Sequence, residues 1–164
     1  MKNLFETGTA DETKTRLGQL RQDTPAAWGK MSAAQMVEHC ARSVEWPVGD
    51  TVPPKAALPI RVLGRVVRPF ALGDEKPFGR NSPTAPTLVV RDEPEISMVR
   101  GKLVWLIDRF VVGGPAGCTT HPHTFFGKAD AGRVVGAYVQ AHGSSSAAVW
   151  GLGSWRVPLI AKAR

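Results

Sequence analysis

Four histidines and two cysteines carry most of this chain's capacity for metal or nucleophilic chemistry: His39, His121, His123 and His142, with Cys40 and Cys118. His39 sits in "SAAQMVEHCARSVEW", beside an apolar row at helical spacing formed by Ala33, Val37, Cys40 and Val44. From that spacing it reads as a core or edge-of-core histidine, with metal ligation as the competing role. Cys40 falls on the row itself and reads as a buried structural thiol. His121 and His123 form an H-x-H pair in "THPHTFFG". Such a pair can chelate when extended, but in a loop the expected role is to order the turn or bond to backbone. Cys118 lies in a glycine-rich stretch without the basic and orienting groups of a catalytic thiol. Glu38 and Glu45 fall opposite the row and are expected to be solvated. No phosphate-binding loop, dinucleotide glycine pattern or nucleophile elbow occurs.

Helices must position these groups. "TADETKTRLGQLRQ" opens with Thr9 and Glu12 as a capping box, in which hydroxyl and carboxylate each answer a backbone amide at the helix start. Ala10, Thr13, Leu17 and Leu20 share its apolar face, and Pro25 stops it. Ser32 and Gln35 repeat the box for the helix that carries His39, which Pro47 and Gly49 are expected to end. Residues 47–91 form a proline-rich excursion with eight of the 13 prolines, too many for a long regular element. Within it, 58–70 places Ile60, Leu63, Val67 and Phe70 on one helical face. Arg61, Arg65 and Arg68 lie on the other, a solvated basic face with an anion or acidic-partner site as the alternative. The clearest helix follows. Asp92 is its expected cap, Pro94 suits its first turn, and Ile96, Val99, Leu103, Leu106 and Phe110 keep the seven-residue pattern of bundle helices. Gly113 and Gly114 end it.

Composition bounds the answer. At 164 residues, 43% hydrophobic and 21% charged, the chain is expected to fold as one soluble domain, all-α in class. No apolar run approaches the roughly 20 residues of a membrane span, and "MKNLFETGTADETK" lacks the apolar core of a signal peptide. Two cysteines do not indicate a disulfide framework, so a reducing cytoplasmic setting is expected. The net charge of +7 raises the question of nucleic acid, but its distribution answers against it. Residues 1–128 carry +4 and the last 36 residues carry +3, with no dense basic block interleaved with aromatics.

"AWGKMSAAQMVEHCARSVE", "ALGDEKPFGRNSPTAP", "LIDRF" and "HPHTFFGK" together resemble one branch of the DinB-like superfamily, over residues 1–128. The resemblance implies a four-helix bundle of up-down-down-up type. It further implies a divalent metal, zinc or nickel, held by one histidine of the second helix and two of the last. Some members use low-molecular-weight thiols in transfer or isomerisation reactions, so a small-molecule or thiol substrate is implied. His39 then becomes the first ligand. The other two are absent from this chain, with His121 and His123 as weak candidates to replace them.

In this branch the chain after the "FFGK" motif continues with "LTPxEW" and then "YKHxDHHLRQFG". Residues 129–164 do not. A one-base shift accounts for the difference. Joining the last two bases of each codon to the first of the next lets 129–150 be read L-T-P-D-E-W-W-G-L-M-Y-K-H-M-D-H-H-L-R-Q-F-G. Asp130–Ala131 permits only Thr or Met there, Gln140–Ala141 only Lys or Arg, and Trp150–Gly151 forces Gly; all three agree. The expected organisation is an incomplete bundle domain, 1–128, followed by an out-of-frame irregular tail, 129–164, in which His142 takes no role. The function implied is that of a metal-dependent thiol transferase or isomerase by ancestry, unable to hold its metal stably as written. The alternative is a non-catalytic bundle that binds a small ligand or a protein partner. Loss of the last helix uncovers apolar stripes, which favours homo-oligomers.

The charge argument has a direct test. Neither the full chain nor a form ending at residue 128 is expected to be retained on duplex DNA at physiological salt. A specific, salt-resistant complex in a gel-shift titration would reverse that exclusion.

Overall fold

The computed structural model describes residues 4–5, 7–26, 29–54, 62 and 84–119. Among these the chain is helical without strands: α1 is Thr7–Gly18, α2 is Ala33–Val48 and α3 is Ile96–Gly113, with single 3-10 turns at Pro86–Leu88 and Pro115–Gly117. The all-α expectation holds for this part. The expected helix at 58–70 lies outside the described residues apart from Val62, which is helical and exposed. So do His121, His123, His142 and the whole of 129–164. Among the described residues no helix is long and apolar enough to cross a membrane.

α3 packs against both α1 and α2. The shared core takes Ala10 and Leu17 from α1, Val37, Ala41 and Val44 from α2, and Leu103, Leu106, Ile107 and Phe110 from α3. Small residues on α2 let the heavier side chains of α3 approach its backbone. Leu4 is fully buried ahead of α1, and Phe5 stacks on Phe110 with ring centroids 4.4 Å apart. Burying each large aliphatic or aromatic side chain contributes about 1.5–3 kcal/mol, so these residues dominate the stability of the seam.

The helix ends differ from expectation in four places, the first being that α1 closes at Gly18, short of Leu20 and Pro25. α1 begins at Thr7, so Thr9 lies inside the helix, where its carbonyl accepts from the Thr13 hydroxyl at 2.8 Å; it is not a cap. α2 does start on the Ser32–Gln35 box, but it runs through Pro47 to Val48. Proline there withholds one amide in the last turn, and Gly49 then closes the helix with φ 86°. Its N–H donates to Trp46 O and the Asp50 N–H to Glu45 O, the paired closure that a left-handed residue makes available. α3 is capped by Glu95, not Asp92: its carboxylate accepts from the Met98 N–H and from the Ser97 hydroxyl. The Ser97 bond, then the Met98 amide, lower the Glu95 pKa.

A polar junction ties the starts of α2 and α3 to the turn after α1. The Gln22 side chain donates to Glu93 Oε1 (3.0 Å) and Pro94 O (3.1 Å) and accepts from the Ile96 N–H (2.8 Å). The Ser32 hydroxyl donates to the same Glu93 oxygen at 2.7 Å.

Two glycines separate backbone conformation from space. A Cβ at Gly49 meets only Thr119 Cβ, at 4.0 Å, yet φ is positive, so Gly49→Ala is expected to destabilise by about 1–2 kcal/mol. Gly101 is exposed within α3, with nothing within 4 Å of an added Cβ. Gly101→Ala is therefore expected to stabilise by about 0.5–1 kcal/mol. Urea midpoints of the two variants should move in opposite directions.

Candidate functional site

α2 is buried on two sides. One faces α3; the other meets the segment 85–90, where Trp46, Ala85 and Leu88 form a second, small apolar cluster. At about 100° per residue, His39 stands on this second side, roughly opposite Val37 and Ala41. It is buried there, as a core histidine is expected to be. The reason is the 85–90 segment, which gives α2 a second partner.

His39 is buried, 3% exposed. Its Nδ1 lies 2.8 Å from Leu88 O. A carbonyl can only accept, so Nδ1 carries a proton and donates it to Leu88 O. The backbone carbonyl of His39 accepts from the buried Ser43 hydroxyl at 2.8 Å. Arg42, one turn on, reaches the same segment: its Nη1 donates to Val89 O at 3.1 Å and lies 3.5 Å from Thr87 O. Its Nε donates to Glu38 at 2.8 Å.

Glu38 and Glu45 are not solvated, as their spacing had suggested. Their side chains are 13% and 17% exposed and converge on Lys102 of α3, with Nζ 2.8 Å from Glu45 and 3.3 Å from Glu38. Burial is the largest influence on Lys102 and lowers its pKa. The hydrogen bond to Glu45 and the charges of Glu38 and Glu45 outweigh it, so the pKa is raised overall. The three groups join α2 to α3 and orient Arg42 on the way.

Cys40 is a structural thiol. It is buried, its Sγ lies 3.7 Å from Met36 Sδ, and burial pushes its pKa from 9.0 up to about 12. Cys118 is half-buried, with Sγ 3.5 Å from Gly114 O.

Of the residues the sequence singles out for a metal, the described part contains His39, a buried imidazole whose Nδ1 donates to a backbone carbonyl. Among the described residues no three of His, Cys, Asp and Glu group closely enough to hold an ion. His121 and His123 lie outside the described residues. Sequence reasoning missed Arg42, Ser43, Lys102 and the Leu88 carbonyl. Arg42 was legible in principle, at i+4 from Glu38 on the same helix. Leu88 was not, because nothing local links it to a histidine 49 positions earlier. Comparison with family models, with curated proteins and with solved structures finds no significant match.

The Cys40 environment sets a pH dependence. Between about pH 9 and 12 the unfolded thiol ionises while the folded one stays neutral. The unfolded state then binds fewer protons, so stability falls as pH rises through that window and is undiminished below it. At pH 8 an alkylating reagent is expected to label Cys118 and spare Cys40 until denaturant is added. Peptide mapping by mass spectrometry reads the difference, and equal labelling of both thiols in the native chain would refute the buried assignment.

Proposed function

We propose that this chain descends from a DinB-like four-helix bundle whose activity was divalent-metal-dependent thiol transfer or isomerisation. We further propose that a one-base shift after Lys128 has replaced its last helix by out-of-frame sequence. One observation carries the first part: a buried histidine midway along the second helix, with its Nδ1 donating to a backbone carbonyl. That is the state a ligating imidazole needs. The codon agreement over 129–150 carries the second. In the complete protein His39 would hold the ion by Nε2, together with two imidazoles one turn apart on the last helix. Bound zinc or nickel would lower the pKa of a water or thiol in its open position. What this chain itself supplies is a buried imidazole whose Nδ1 donates to Leu88 O. As written, one such ligand does not hold a metal.

The second reading, a non-catalytic bundle that binds a small ligand or a protein partner, draws on a different feature. Met98, Trp105 and Val112 are 74%, 54% and 87% exposed and lie seven residues apart on α3. An aligned exposed apolar row of that kind suits a partner surface.

Calorimetric titration with zinc and nickel separates the two. The chain as written is expected to show no stoichiometric binding. Restoring the frame after Lys128 should give roughly one ion per chain, with a stabilisation of about 2.7 kcal/mol when free metal is at a hundredfold excess over Kd. His39→Ala in the restored protein should weaken binding sharply. Equal affinity in the restored protein and its His39→Ala variant would leave the partner-binding reading standing alone.

A further inference from the structure

We draw no further inference here: the strongest candidate, the exposed apolar row of Met98, Trp105 and Val112 on the outer face of α3, carries nothing because nothing among the described residues shows what covers it.

Discussion

The seam between α2 and α3 is the constraint on which the rest of the described structure depends. Val37, Ala41 and Val44 on one side, and Leu103, Leu106 and Phe110 on the other, are almost wholly removed from water. Their contribution exceeds that of the charged pairs at its edges. Lys102 with Glu38 and Glu45, and Arg109 with Asp50 at 2.7 Å, are partly exposed, and such pairs are worth about 0–1 kcal/mol each. Their contribution is to register. A shift of α3 by one turn would keep much of the apolar contact but would separate Lys102 from both carboxylates and Arg109 from Asp50. Apolar burial holds the helices together, and the charges select the alignment in which Arg42 is oriented toward the 87–89 carbonyls.

A helix buried on two sides must place polar residues where the two coverings meet. On α2 those positions hold Glu38, Arg42 and Ser43, each bonded to a specific partner. His39 is the exception, since it sits within a covered face. A neutral imidazole can be buried there because one nitrogen finds a carbonyl in a segment that contributes no ladder or helix of its own. The cost of desolvating the ring and the need of Leu88 O for a donor offset each other. Each group satisfies the other, which makes the histidine and the segment a single unit.

The periodic part of this fold was legible in the sequence. The apolar row of α3 matches its buried side chains, with Ile107 as the one addition, and the Ser32–Gln35 box is the start of α2. Helix ends were less legible, because caps compete at short range. Glu95 stands closer to the first turn of α3 than Asp92 does, and the left-handed freedom of Gly49 allows α2 to absorb Pro47 before it closes. The site was the least legible. A single apolar row on α2 predicts one buried side; the second exists only because residues 85–90 return to it. Glu38 is covered for a related reason: its partners lie on α3 and at Arg42, so a position opposite the apolar row does not face solvent here.

The arrangement of the three helices also separates the surroundings of His39 from the exposed face of α3. α3 is the neighbour of both α1 and α2, and His39 faces away from the α2–α3 seam. On that side the segment 85–90 covers the helix, and Leu88 O accepts from the ring. The exposed row of Met98, Trp105 and Val112 is on a different helix and is not part of those surroundings. The two functional readings thus draw on separate surfaces of one bundle: the metal reading on α2 and whatever follows residue 119, the partner reading on the outer face of α3. One can fail without weakening the other, and a chain that has lost the first retains the second intact.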